Sequence, residues 1–406
     1  MRCLGGRDSA GAFYRIAIPQ DWNRHLVLHA HGGPALGAPQ AERSVEDLQR
    51  WAIMLRAGYA WAGSTFRQGG VVVRPAAEDT ERLRRLFVAH VGAPRRTPLH
   101  GQSWGASVAA KAAEMFGRTA PGEKPAYDAV LLTSGVLAGG TRAYDMRLDL
   151  RVVYQHLCGN HPLANEPAYP LWMGLPPGAA LTREQLAQRV DDCLGVRKAA
   201  AQRSAEQQAR LQTIVRVIRI PERAVLPHLN WATWHFQDIA QNRTGGNGSA
   251  FGNIGARYTG SPDDDALNAA VARYRADPAA VARFSADADL TGQIDLPVLT
   301  VHGIDDATAF VEMDHAFADT MAKAGRAGRL VQTFTSDREH SYLSDPVYAT
   351  LVGVLVRWVE RGEKPTPAGI AAACWAMEGP FGPGCRFELA YQPPPLETRV
   401  AARQRP

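Results

Sequence analysis

The chain has 406 residues, 46% hydrophobic and 21% charged, enough apolar material to bury a full core and too much for a disordered segment. Its net charge is +5, but only five of the 45 basic residues are lysines, and the arginines are scattered singly or in pairs. No basic run or basic helix suits a nucleic acid or a lipid surface, and no apolar stretch reaches transmembrane length, so neither kind of partner is expected.

The start, Met1-Arg2-Cys3-Leu4-Gly5, carries no export signal, which is compatible with a mature sequence whose signal has been removed. A strand-like run, Ala12–Ile18, follows, and then Leu26-Val-Leu-His-Ala30, which reads as a central strand leading straight into His31-Gly32-Gly33-Pro34. Further apolar runs are Tyr59–Phe66 and Tyr127–Thr133. Between them lies Thr97-Pro-Leu-His-Gly-Gln-Ser-Trp-Gly-Ala106, followed by the helix-forming run Ala106–Phe116 and its stop, Gly117. Strand-like runs alternating with amphipathic segments over residues 1–140 predict an α/β protein with a mainly parallel sheet flanked by helices.

From 141 to 290 the pattern changes to polar helices, such as Thr182–Val190 and Ser204–Leu211, which predicts a mostly helical insertion. The core resumes over 291–362 with the buried strand Ile294–Gly303, the strand Arg329–Thr335, and a helix from Asp345 to Val359. Asp345 reads as that helix's cap, with Pro346 in its first turn, Gly362 past its end, and Leu351, Leu355 and Trp358 on one face. Residues 363–406 form a Pro/Gly-rich C-terminal extension whose arginine-rich tip is expected to be loosely held. There are no internal repeats.

The chemistry is concentrated at strand ends. Gly101-x-Ser103-x-Gly105 is a small-residue frame for a serine on a sharp strand-to-helix turn, where a Cβ on either side would clash. Ile304-Asp305-Asp306 follows the strand that ends at Gly303, and His340 sits in the loop after the next strand. Serine, then acid, then histidine resembles the α/β-hydrolases of the serine esterase and peptidase type, over residues 11 to 362 apart from the insertion. The resemblance implies the α/β-hydrolase fold, with the 141–290 insertion as a lid after the sixth strand.

It also implies roles. Ser103 would be the nucleophile and His340 its base, since a serine hydroxyl is a poor nucleophile until a partner takes its proton. In the family the acid typically falls four positions after the histidine of the His-Gly pair ending the strand, which gives Asp306, with Asp305 as the alternative. Glu339 adjoins His340, and neighbours on an extended loop point apart. His31-Gly32-Gly33-Pro34 is similar to the oxyanion motif of lipases, esterases and proline iminopeptidase-like enzymes. Pro34 has no N–H, so Gly33 and the residue after the nucleophile, Trp104, are the expected backbone donors.

The expected activity is hydrolysis of a carboxylic ester, small or oligomeric, through an acyl-enzyme. A peptidase or amidase with the same machinery is the alternative, although Ala35 stands where iminopeptidase-like enzymes carry glycine. Such a peptidase needs cap acids for the substrate's amino terminus, and Glu166, Glu184 and Glu222 are candidates. A non-catalytic binding protein of the same fold is the third reading. Trp172, Trp231, Trp234, Phe236 and the glycine-rich run Thr244–Gly252 belong to the lid, where they would either shape an apolar pocket or pack its core. Arg67 and Gln68 are candidate substrate contacts.

No cofactor or metal is expected: His29 and His31 have no third ligand at a recognisable spacing, and the five cysteines are too dispersed for zinc. Cys374 and Cys385 bracket a Gly/Pro-rich turn, and a bridge there would tie down a segment with little core of its own. Cys158 and Cys193 could pair across the insertion, leaving Cys3 over. With bridges the protein belongs in the periplasm or outside the cell; five reduced thiols would place it in the cytosol. The oligomeric state stays open.

Overall fold

A computed structural model describes residues 1–118, 124–246 and 248–406. Eight strands form one sheet: β1 (Arg2–Arg7), β2 (Phe13–Ile18), β3 (Leu26–Ala30), β4 (Ala60–Ser64), β5 (Pro98–Gln102), β6 (Ala129–Thr133), β7 (Val298–Gly303) and β8 (Leu330–Thr335). They lie in the order β1-β2-β4-β3-β5-β6-β7-β8. β2 is antiparallel to both β1 and β4, and all other pairings are parallel. This is the α/β-hydrolase fold. The central strands are buried along their whole length, as expected where helices cover both faces of a parallel sheet.

The chain divides into two compact units, Met1–Gly139 with Leu290–Pro394, and Gly140–Asp289 with Pro395–Pro406. In the first, the helix Asp345–Arg361 buries Val347, Leu351, Leu355 and Trp358 in a cluster with Trp51, Trp61, Leu131, Leu299 and Val301. Asp345 is not its cap: Ser344 flanks the helix and Asp345 is the first helical residue. The Asp345 carboxylate instead accepts from Tyr342 and Arg56, which draw it away from the free N–H groups of the first turn. The extension carries its own helix, Pro367–Phe381, stapled by Cys374–Cys385, and Phe387 bridges to Thr335 at the β8 edge. β1 adds an outer strand ahead of Ala12–Ile18, the first run expected to be a strand. Its Arg-Cys-Leu-Gly-Gly-Arg sequence is largely exposed and paired along its backbone with β2, so no hydrophobic alternation announces it.

The second unit is helical. Thr182 and Ser204 each open a helix with a reciprocal capping box, using Gln185 and Gln207, which fixes the starts of Arg183–Leu194 and Ala205–Ile218. Cys158–Cys193 joins two of its helices, and Cys3 is free. The two disulfides suit an extracellular or periplasmic setting. Among the described residues no helix is long and apolar enough to cross a membrane.

The C-terminal tip is not loose. The Arg403 side chain is 2% exposed and its guanidinium meets Asp149 at 2.5 Å, while Asp145, one turn earlier, accepts from Arg405. A buried helix bearing two carboxylates on one face needs cations there, and the last residues supply them.

Candidate active site

Ser103 lies directly after β5, at the point where the strand order reverses between β3 and β5, a place where open α/β sheets leave a crevice at their carboxyl ends. Its φ of 56° and ψ of −123° are an unfavourable conformation for a residue with a Cβ, and the close packing around it explains how it is held. A Cβ on Gly105 would come within 2.1 Å of the Ala30 carbonyl oxygen, and one on Gly101 within 2.2 Å of the Gly105 oxygen. Glycines on both sides therefore let the turn press against β3 and the following helix, Trp104–Phe116.

The structure brings Ser103, His340 and Asp306 together. The Ser103 hydroxyl donates to His340 Nε2 at 2.8 Å, and His340 Nδ1 donates to Asp306 Oδ2 at 2.7 Å. Ser103 is 8% exposed and the His340 side chain 20%, whereas the Asp306 side chain is fully buried. Asp306 Oδ1 accepts from the backbone N–H groups of Thr308 (2.8 Å) and Ala309 (3.1 Å). Burial alone would raise the Asp306 carboxyl, but hydrogen bonds from His302 and His340 outweigh it and hold the group well below the usual carboxylate range. Asp305 points elsewhere, its side chain 57% exposed and 3.5 Å from Arg338.

Gly33 and Trp104 are the two expected backbone donors. Trp104 is the first residue of its helix, so its N–H has no intrahelical partner. Neither its N–H nor that of Gly33 meets a protein acceptor among the described residues. Gly33 has a φ of 69°, open to glycine at little cost. The Gly32 carbonyl accepts from Arg43 Nη2 at 2.7 Å and from His31 Nδ1 at 3.0 Å. Because a trans peptide is planar, fixing that oxygen turns the Gly33 N–H the opposite way. Sequence reasoning missed Arg43, which lies nine residues past the motif in the helix Ala41–Arg50 with nothing local to mark it. It is steadied by Asp47 at 3.3 Å.

Beside this turn lies a cavity of about 250 Å³ lined by Pro34, Leu36, Phe66, Gln68 and Trp104, with His31 in its wall. Of the two candidate contacts after β4, Gln68 lines this cavity, whereas the Arg67 guanidinium is engaged by Glu78 (2.5 Å) and Asp79 (3.2 Å). His29 is not paired with His31. It meets His100 on the neighbouring strand, Nδ1 to Nδ1 at 3.0 Å, and the His100 Nε2 lies 3.1 Å from the Thr133 hydroxyl. Among the described residues no group of three His, Cys, Asp or Glu could hold a metal.

In the helical unit, Phe236 is fully buried against Phe251, and Trp231 stacks on His235 and packs at a tilt against Tyr144, so these aromatics pack against one another within that unit. Trp234 lies under the Arg183 guanidinium. The three candidate cap acids are each paired with an arginine: Glu166 with Arg189, Glu184 with Arg197 and Glu222 with Arg203. In the glycine-rich run, Asn247 lies outside the described residues.

No protein-family model matches the chain, and no curated protein matches its sequence. Solved structures do. Feruloyl esterase B from Aspergillus oryzae is 14% identical, over 89% of this chain and 80% of that one, with a TM-score of 0.46. The rice cell wall degrading esterase LipA from Xanthomonas oryzae is 12% identical over 88% and 89%, with a TM-score of 0.40. A carboxyl esterase from Bacillus coagulans is 12% identical over 88% and 96%, with a TM-score of 0.40. At these values the likeness concerns the course of the chain, not its chemistry.

Proposed function

We propose that this chain is a serine hydrolase that cleaves carboxylic esters through an acyl-enzyme. Ser103 attacks the ester carbonyl as His340 takes its proton, and Asp306 holds the imidazole in the required tautomer. The N–H groups of Gly33 and Trp104 receive the oxyanion. His340 then protonates the leaving alcohol, and water activated by the same imidazole releases the acid. The observation that supports this most is the 2.8 Å contact between Ser103 Oγ and His340 Nε2, on a hydroxyl at the end of a central strand. The bound substrate is a small-molecule or oligomeric ester, and the compartment is the periplasm or the cell exterior, in keeping with the disulfides.

The peptidase reading is disfavoured by the cap acids. A substrate ammonium would have to displace an arginine from Glu166, Glu184 or Glu222. Assay of short-chain p-nitrophenyl esters against aminoacyl-anilides decides between the two, and faster anilide cleavage would overturn the ester assignment. A fluorophosphonate probe tests the serine itself. Failure to label Ser103 in folded protein would point to a binding protein.

A further inference from the structure

Behind Asp306 stands a second acid–imidazole pair that the mechanism above does not use. His302, at the end of β7, has a fully buried side chain. Its Nδ1 donates to Asp314 Oδ2 at 2.6 Å, and its Nε2 donates to the Ala309 carbonyl at 2.9 Å while lying 3.3 Å from Asp306 Oδ2. A carbonyl oxygen can only accept, and so can an ionised carboxylate, so both ring nitrogens must carry protons. Asp314 is pinned in turn, its Oδ1 accepting from the Thr300 hydroxyl at 2.9 Å and its backbone oxygen from Gln332 Nε2 at 2.9 Å.

We propose that the buried His302–Asp314 pair is a positioning device for Asp306, supplying the positive charge that lets Asp306 stay ionised at a fixed orientation behind His340. This rests on the serine hydrolase reading. Without a cation, Asp306 and Asp314 would be two buried carboxylates on neighbouring elements with no compensating charge. With it, the array Asp314–His302–Asp306 carries one net negative charge, which becomes zero when His340 gains a proton during turnover. The energetics agree: burial would lower the His302 value, but Asp314 and Asp306 push it up to about 10.

Asp314, on the helix Glu312–Lys323, and Asp306 are the charged groups in direct contact with His302; Thr300 on β7 and Gln332 on β8 bond to Asp314 and are neutral. Glu312 opens the same helix as Asp314, and Glu339 adjoins His340. Nearby, Asp305 pairs with Arg338 and Asp337 with Arg386, so these charges cancel locally.

The test is His302→Gln, which keeps a donor near the Nε2 position and loses the charge. Removing a cation makes protonation of His340 easier, so the acid limb of kcat/KM for a p-nitrophenyl ester should move to higher pH, by about half a unit or more. The kcat should fall on the order of 10-fold, with KM within about twofold. A role confined to packing would lower stability and leave the limb where it is. If folded His302→Gln protein labels with fluorophosphonate and shows an unshifted limb, the proposal is overturned and the hydrolase reading stands. If the wild type itself neither labels nor cleaves esters, the hydrolase reading fails and takes this role with it. Should the variant not fold, ¹⁵N spectroscopy of the wild type decides. The proposal requires one histidine ring protonated at both nitrogens from pH 6 to 8, and a neutral His302 would refute it.

Discussion

Gln102 donates from Nε2 to the Ser341 hydroxyl at 2.8 Å, tying the residue before the serine to the residue after the histidine. The same side chain also backs the His31–Pro34 loop, since a Cβ on Gly32 would come within 2.2 Å of Gln102 Oε1. One amide thus touches both loops that flank Ser103. Gln102→Leu keeps the volume and removes the bond. Turnover of a p-nitrophenyl ester should drop by about 10-fold, with about 1 kcal/mol lost in urea unfolding.

Arg43 should matter through the peptide it holds. Arg43→Met leaves the Gly32 carbonyl, among the described residues, with His31 as its side-chain donor, so the Gly32–Gly33 peptide can rotate and its N–H can leave the proposed oxyanion position. A misplaced donor weakens the transition state and not the bound substrate. The expected result is a fall in kcat of about 10-fold or more, KM nearly constant, and slower inactivation by a phosphonate.

Ser103 and the two neighbouring acids, Asp306 and Asp305, should respond unequally. Ser103→Ala is expected to cost on the order of 10⁶ in kcat, and Asp306→Asn about 10⁴, because the amide can hold His340 in the wrong tautomer. Asp305→Asn should stay within about twofold, as that side chain is largely exposed and pairs with Arg338. Equal losses at 305 and 306 would contradict the geometry.

Mild acid should loosen the fold through buried neutral histidines. His100 is fully buried and pushed by burial down to about 3 from an ordinary 6.5, and burial also lowers His29 and His161. The unfolded chain therefore takes up protons below pH 6.5 that the native protein refuses. The contribution of these histidines to stability is complete above that value and lost as pH falls, by about 1.4 kcal/mol per pH unit for each. Urea midpoints measured from pH 7 to 4.5 should decline, and His100→Gln should flatten the decline by about one proton's worth.

The parts of the molecule readable in advance were those with a local signature. Leu26–Ala30 is an apolar run broken by His29 alone, Gly101 and Gly105 frame Ser103, and Thr182 and Ser204 sit three residues before glutamines. Each obeys a rule that acts over a few residues. What escaped depends on distance. Arg43, Gln102 and Asp314 act on partners 11, 239 and 12 positions away through the fold. β1 is held by backbone pairing on the sheet edge, which leaves no trace in residue type. The tip around Arg403 looked solvated because its partners, Asp145 and Asp149, belong to a helix far upstream.

That last pairing spans 254 positions along the chain. During vectorial synthesis the helix carrying Asp145 and Asp149 emerges long before the guanidinium that neutralises it. Loop closure on this scale makes contact formation slow and the assembly strongly cooperative. The helical unit is therefore cut from two remote stretches of polypeptide, and excising residues 140–289 alone would leave the buried carboxylates of Asp145 and Asp149 without the guanidinium groups of Arg403 and Arg405.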